Sequence, residues 1–182
     1  MLNRRTLLAA LPAAALATSA FAQAADPADT VYLDTKDGRV VIKLRPDLAP
    51  KHVAQIKALV KEGFYNGIVF HRVIDGFMAQ TGDPTGTGTG ASKLANLPAE
   101  FTATPFKRGT LGMARSQSPD SANSQFFICL ADSSFLNNKY TVFGEVTSGM
   151  EFVDKIKKGA AGSGTVAGPD KIVKMILAAD AK

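Results

Sequence analysis

Short runs of β-forming residues, each ended by a turn signal, constrain the fold of this chain most. Val31 to Leu33 and Arg39 to Leu44 flank a Lys-Asp-Gly turn, and two apolar runs over 68–74 and 77–80 flank an Asp-Gly turn. Such turns between short β runs are typical of antiparallel hairpins. Further strands are predicted over residues 111–114, 125–130, 142–146 and 171–177.

Only two segments have a helical pattern. Residues 49–61 repeat apolar side chains at helical spacing, and the preceding Asp47 is expected to cap this helix. A second helix is predicted over residues 148–158. Many short strands and two helices predict a mainly antiparallel β domain, either closed or sandwiched.

The first 24 residues have the order of a secretory signal peptide. A basic pair at Arg4-Arg5 is followed by an apolar run over residues 7–17 and then by small residues. The run is shorter than the roughly 20 apolar residues that span a bilayer, so stable membrane insertion is not expected. The basic pair also resembles a twin-arginine signal, which leaves the export route open.

Two small-residue sites allow cleavage after Ala22 or Ala24, which predicts one mature domain over residues 25–182. Its expected destination is the periplasm or the exterior of a bacterium. Loss of the basic pair lowers the net charge from +5 to +3, with 19 basic residues against 16 acidic ones. No cluster of the remaining cations is typical of a nucleic-acid face, so no nucleic-acid partner is expected.

Cysteine and histidine content restricts the chemistry. The chain has one cysteine and two histidines, which excludes a disulfide framework and any zinc site with several cysteines. Little remains from which to build a histidine-based metal centre. No metal site is predicted from these residues.

Three segments combine polar and apolar residues in a way that suits a binding site: 70–83, 111–115, and 123–128 followed by 135–144. Strand alternation places Phe127 on one face and Phe126 on the other, so one face belongs to the core and the other can line a second apolar surface. Arg72 lies within an apolar β run. From spacing alone it is either an edge residue reaching water or a cation beside an apolar pocket.

The string F-H-R-x-x-x-G-F-M-x-Q-x-G-D over residues 70–83, together with S-Q-F-F-I over 124–128, resembles the cyclophilin-type peptidyl-prolyl cis-trans isomerases. The similarity runs from about Val31 to the end of the chain. It implies a closed eight-stranded antiparallel β-barrel capped by two α-helices, with the active groove on the outside. It also implies a monomer without a cofactor that speeds rotation about X-Pro bonds in unfolded or exported polypeptides and so assists their folding.

The resemblance also assigns site residues. Arg72 matches the catalytic arginine of the family, and Gln80 is expected to orient it or to bind substrate. Phe77, Met78, Phe127 and Leu136 match the proline pocket. Further substrate-binding positions are Met113, Ala114, Arg115, Phe135 and Tyr140.

Three positions depart from many eukaryotic members, which carry tryptophan, histidine and asparagine where this chain has Phe135, Tyr140 and Arg115. These departures resemble the bacterial exported branch. Because phenylalanine lacks the indole N–H that would bind an inhibitor carbonyl, we expect weak binding of cyclosporin.

The proposed site requires Arg72 and Gln80 on one face of a hairpin. A plain two-residue turn would pair Arg72 with Ala79 instead. One extra residue in the turn pairs Arg72 with Gln80 and Ile74 with Met78, so an irregular turn is predicted.

Other functions compete with this one. A proline-peptide-binding chaperone module with incidental isomerase activity would use the same groove but would not need Arg72. A nucleophilic pair of His71 and Cys129 is disfavoured because both lie in apolar strands. The glycine-rich stretch 86–91 is disfavoured as a nucleotide-binding loop, because no convincing helix is predicted after it. A catalytic pair of acids is also disfavoured, because no spacing brings two of the candidates together. These candidates are Asp83, Glu100 and Asp120.

Overall fold

The computed structural model describes residues 26–182, so the predicted signal peptide lies outside the described range. Eight strands form one sheet in the order β3-β4-β6-β5-β7-β2-β1-β8, and every neighbouring pair is antiparallel. The strands are β1 Thr30–Asp34, β2 Arg39–Leu44, β3 Arg72–Ile74, β4 Met78–Thr81, β5 Thr110–Met113, β6 Phe126–Cys129, β7 Val142–Ser148 and β8 Lys174–Leu177.

The first helix, α1 (Pro50–Lys61), begins one residue after its predicted start and lies against β8. The predicted cap by Asp47 is wrong, because its carboxylate binds the Arg45 guanidinium at 2.7 Å instead. Glu100, in the long segment between β4 and β5, accepts hydrogen bonds from two N–H groups of the first helical turn at 3.2 and 3.1 Å. The orphan donors of the helix are thus satisfied by a distant residue.

The second helix, α2 (Met150–Asp154), is shorter than the predicted 148–158. Ser148 ends β7 and pairs with Val41 across the sheet, so strand pairing overrides the helical pattern at this end. Gly149 turns the chain at φ 88°, and a Cβ there would lie 2.4 Å from a backbone oxygen of β2. Within residues 26–182, no helix has the length and apolarity to cross a membrane.

Apolar side chains collect on both faces of the sheet. The main core lies between one face and α1, and it includes Leu33, Ile56, Phe126 and Phe143, each at most 1% exposed. A second cluster, here called the outer cluster, comprises Met78, Phe106, Phe127, Cys129, Leu136 and Val142. The alternation predicted for β6 is therefore confirmed, with Phe126 in the main core and Phe127 in the outer cluster.

The segments that precede the two edge strands, β3 and β8, are joined by a few backbone contacts and not by a continuous strand ladder. An isolated bridge links Val69 with Lys171, and the Phe70 N–H donates to the Asp170 carbonyl at 2.8 Å. Both contacts precede the edge strands in sequence. Across the described residues the sheet is thus a curled half-barrel with two helices, and the predicted closed barrel is not confirmed.

Candidate active site

The β3–β4 hairpin has the register predicted from the sequence. Arg72 lies opposite Gln80 and Ile74 opposite Met78. The turn contains three residues, and its last N–H donates to the Ile74 carbonyl at 3.0 Å. Gly76 occupies the turn at φ 67°, a conformation that glycine adopts without steric cost. Because directly opposed residues share a face of the sheet, Arg72 and Gln80 point to the same side.

Two hydrogen bonds hold the Arg72 guanidinium. Its Nη1 donates to Gln80 Oε1 at 3.3 Å, and its Nε donates to the backbone carbonyl of Ser163 at 3.1 Å. Gln80 is in turn held by Gln125, since its Nε2 donates to Gln125 Oε1 at 2.9 Å. Gln125 donates to the carbonyl of Gly90 at 2.8 Å. A chain of polar contacts therefore runs from Arg72 to the loop that follows β4.

Gln125 and Ser163 are site residues that sequence reasoning missed. The sequence could have indicated Gln125 as a site residue, because it lies within the S-Q-F-F-I string and shares the face of Phe127. No sequence pattern could have indicated Ser163, because it contributes a backbone carbonyl, which every residue type possesses.

Beside the guanidinium lies a pocket of about 130 Å³ with both polar and apolar walls. The structure brings together there all but two of the predicted site residues. Its walls are formed by Arg72, Phe77, Met78, Gln80, Ala114, Arg115, Phe127, Leu136 and Tyr140.

The base of this pocket depends on a glycine in β5. A Cβ on Gly112 would lie 2.4 Å from the Phe127 ring and 2.6 Å from the Phe106 ring, so a larger residue would displace both. Phe127 stacks on Phe106 with ring centroids 5.8 Å apart. Phe127 also makes an edge-to-face contact with Tyr140, with ring centroids 5.8 Å apart. The aromatic wall of the pocket is thus fixed from two sides.

The two predicted site residues that do not line the pocket, Met113 and Phe135, lie in different places. Met113 is 1% exposed and lies in the main core, because it follows Gly112 on β5 and alternation turns it to the opposite face. It does not line the pocket. Phe135 stays at the rim of the pocket, where it is 59% exposed and its ring lies 5.2 Å from that of Phe77.

Backbone carbonyls hold the Arg115 side chain. Its guanidinium lies 4.6 Å from the centroid of the Tyr140 ring. Its Nε and Nη2 donate to the Lys139 carbonyl at 3.2 and 2.9 Å, and Nη1 donates to the carbonyls of Ser116 and Gln117. Arg115 therefore braces Tyr140 at the edge of the pocket.

Known proteins are similar in sequence to this chain over most of its length. A family model described as cyclophilin type peptidyl-prolyl cis-trans isomerase matches residues 30–177. This chain belongs to that family. A probable peptidyl-prolyl cis-trans isomerase of Brucella suis is 58% identical, with 98% of each chain covered. A Helicobacter pylori peptidyl-prolyl cis-trans isomerase is 44% identical over 72% of this chain and 83% of its own.

Crystal structures of other cyclophilins share the fold. A cyclophilin from Hirschia baltica superposes with a TM-score of 0.78 at 28% identity, over 86% of this chain and 76% of that one. A cyclophilin-type isomerase from Cryptosporidium parvum, crystallised in the presence of the dipeptide Ala-Pro, has a TM-score of 0.75 at 29% identity. That comparison covers 81% of this chain and 98% of the other. The present cyclophilin is a peptidyl-prolyl cis-trans isomerase.

A second hollow of about 440 Å³ adjoins the proline-sized pocket of this cyclophilin. The two share Gln80, Ala114 and Arg115 as a common wall, and residues 88–91 line the far side.

The nucleophilic pair of His71 and Cys129 finds no support in this cyclophilin. Cys129 is fully buried, and burial raises the pKa of its thiol to about 12, which keeps it protonated at neutral pH. Burial also lowers the pKa of His71. Among residues 26–182, no group of three or more His, Cys, Asp or Glu side chains could hold a metal ion.

The acids considered as catalytic pairs each serve the fold. Glu100 holds the start of α1 and contacts His52 Nδ1 at 2.6 Å, and Asp120 accepts from the Ala99 N–H at 2.8 Å. Asp83 is 1% exposed and accepts from Thr85 N–H at 2.7 Å. Residues 86–91 belong to the loop that closes around this carboxylate, and within the described range no helix follows them directly.

Proposed function

We propose that the pocket beside Arg72 is the catalytic centre and that Arg72 stabilises the twisted X-Pro amide. Amide resonance gives rotation about this bond a barrier of about 18–20 kcal/mol. An enzyme lowers that barrier by binding the twisted form better than either planar form. In the twisted form the nitrogen lone pair is no longer delocalised, so it can accept a hydrogen bond.

The placement of the Arg72 guanidinium carries this proposal. It lies on the wall of a pocket, opposite apolar side chains, and is held by Gln80 on one side and by Ser163 on the other. Arginine stays protonated and offers several donors in a rigid fork, and a donor fixed in advance needs no reorganisation when the bond twists. Gln80 is the residue that orients it.

The apolar walls have a separate task in this mechanism. Met78, Phe127 and Leu136 are 1%, 5% and 6% exposed, so a proline ring that enters the pocket leaves water and contacts three fixed side chains. Phe77 closes the rim. The ring is then anchored while the preceding carbonyl rotates, and no bond is made or broken, so the reaction requires no cofactor.

An exchange assay on a proline peptide tests this function against the chaperone alternative. The purified protein is added to a peptide whose cis and trans forms are distinguished by NMR, and both peptide binding and the exchange rate are measured. Acceleration at catalytic protein concentrations is expected. Binding without acceleration would instead favour a proline-peptide-binding module, which has no need of the Arg72 arrangement.

We further propose that this is a monomeric enzyme of the bacterial exported branch, acting on exported polypeptides in the periplasm or outside the cell. The support is the order of residues 1–24 together with the departures at Arg115, Phe135 and Tyr140. Protein recovered from its native compartment should lack the segment through Ala22 or Ala24. Mass measurement decides this, and active protein that still begins at Met1 would refute the proposal.

Weak binding of cyclosporin is also expected. Phe135 offers an exposed ring without an N–H donor, and a lost hydrogen bond costs about 0.5–1.5 kcal/mol before lost contact area is added. Affinity should therefore be at least about tenfold lower than in tryptophan-bearing relatives. Phe135→Trp should tighten inhibition more than it changes turnover. An unchanged inhibition constant would assign the weak binding to Arg115, Tyr140 or residues 85–98 instead.

A further inference from the structure

The segment between α2 and β8 returns to the free edge of β3, on the side opposite β4. The Val73 N–H donates to the Gly164 carbonyl at 2.8 Å, and the Gly159 N–H donates to the Val73 carbonyl at 2.9 Å. Arg72 and Thr165 form an isolated bridge. The backbone around Ser163 and Gly164 is thus bound to the backbone that carries Arg72.

The same segment reaches the Arg72 side chain. The Ser163 carbonyl accepts from Nε at 3.1 Å, while Gln80 accepts from Nη1 at 3.3 Å. Nε lies at the base of the guanidinium and Nη1 at its outer end, so two acceptors from opposite neighbours of β3 restrict rotation of the planar group.

Glycine at 164 permits this close approach. Its φ is +75°, and a Cβ there would lie 2.5 Å from Ile74 Cγ1 and 3.2 Å from Arg72 Cγ. A Cβ on Gly159 would lie 1.8 Å from the Gly164 carbonyl oxygen, so that position also has no room for a side chain. Gly162, by contrast, has φ +84°, and no atom beyond its own chain neighbours lies within 4 Å of the place that a Cβ would occupy there.

We infer that the Ser163–Gly164 segment is a positioning element for Arg72, fixing the guanidinium through the Ser163 carbonyl and so setting the rate of catalysis. This rests on the proposed role of Arg72. The segment does not line the proline pocket, so its effect falls on kcat and much less on substrate binding. A displacement of about 1 Å at a catalytic group can cost up to roughly 100-fold in rate.

Gly164→Ala tests the inference, with Gly162→Ala as its matched control. Both substitutions place a side chain at positive φ, but only the first meets Ile74 and Arg72. Gly164→Ala should lower kcat by roughly 10- to 100-fold with KM nearly unchanged. Gly162→Ala should leave both constants close to the parent values. A folded Gly164→Ala protein with the parent kcat would overturn the inference.

The Arg72→Ala background separates a positioning role from general damage. If the segment acts through Arg72, Gly164→Ala should cause little further loss of the residual exchange rate in that background. A loss of the same size in both backgrounds would overturn the inference while leaving the role of Arg72 intact. Parent-like turnover of Arg72→Ala itself would instead refute the proposed mechanism.

The parent protein provides a measurement that does not depend on a variant folding. The Nε–Hε proton of Arg72, followed by ¹⁵N NMR, should exchange with solvent more slowly than that of free arginine, because it is donated to the Ser163 carbonyl. Exchange as fast as in free arginine would show that the carbonyl does not hold the group and would contradict the inference.

Discussion

Arg72→Ala is expected to lower kcat by roughly 100- to 1,000-fold, the usual cost of removing one preorganised donor from a catalytic site. Arg72→Lys should also lose most of the turnover, because lysine keeps the charge but not the planar fork that meets both Gln80 and Ser163. KM should change less, since the apolar walls of the pocket remain. The measurement is the cis-trans exchange of a proline peptide as a function of its concentration.

A control variant and a folding check accompany this experiment. Arg39→Ala removes an exposed arginine on β2 that is paired with Asp34, so it tests loss of an arginine charge away from the pocket. Far-UV and near-UV circular dichroism establish that each variant keeps its fold. If folded Arg72→Ala retains near-parent exchange rates, the guanidinium is not the group that stabilises the twisted amide.

The hairpin and the pocket face could be predicted from the sequence, although only the face follows from local rules alone. The period of two places Gln80 and Met78 on one face. Local rules also allowed a two-residue turn, so the extra residue that sets the register with Arg72 was predicted from the site that the resemblance implies. The resemblance supplied the roles of these residues, and their spacing already indicated which of them share a face. For β5, alternation alone did not indicate which face is the main core, and the pairing of Met113 with Phe126 in the structure decides it.

Other features could not be predicted because they depend on contacts between distant segments. Glu100 satisfies the first turn of α1 from 48 residues away along the chain, so the prediction of the neighbouring Asp47 was wrong. The Ser163 carbonyl binds Arg72 from 91 residues away. In both cases the decisive group is brought into place by the fold, and no local pattern identifies it.

The structure also explains how a solvent-facing site can be rigid. The outer cluster gives the pocket its own apolar base, with Phe106 beneath Phe127. Polar contacts then hold the rim, from Arg72 through Gln80 to Gln125. Because Gln125 binds the carbonyls of residues 88 and 90, the order of that loop affects both hollows of the site.

Asp83 is the residue on which this loop depends most. Its buried carboxylate accepts hydrogen bonds from the N–H and hydroxyl of Thr85, at 2.7 and 2.8 Å, and from the Gly88 N–H. Asp83→Asn places an NH₂ group where one of these donors points, which leaves a buried donor unsatisfied. We expect a loss of about 2–3 kcal/mol in the free energy of unfolding, measured by urea denaturation at pH 6.

The pH dependence of stability provides a second measurement of the same carboxylate. Burial acts to raise the pKa of Asp83, but hydrogen bonds from Thr85, Gly90 and Gly88 outweigh it and lower the pKa from 3.8 to about 2. The folded state therefore binds this proton less readily than the unfolded state. The stabilisation is fully present above the unfolded pKa and is lost as the pH falls through the folded pKa, so about 2 kcal/mol should disappear between pH 5 and pH 2.

Asp83→Asn removes this titration, so the difference in unfolding free energy between parent and variant should shrink over the same interval. Asp75→Asn serves as the matched control, because it neutralises a carboxylate in the β3–β4 turn whose side chain is 83% exposed. A difference between parent and Asp83→Asn that stays constant from pH 5 to pH 2 would show that the charge of Asp83 does not stabilise the fold. In that case the shape of the Asp83 side chain alone would order the loop that follows β4. Its charge would then make no contribution to holding Gln125.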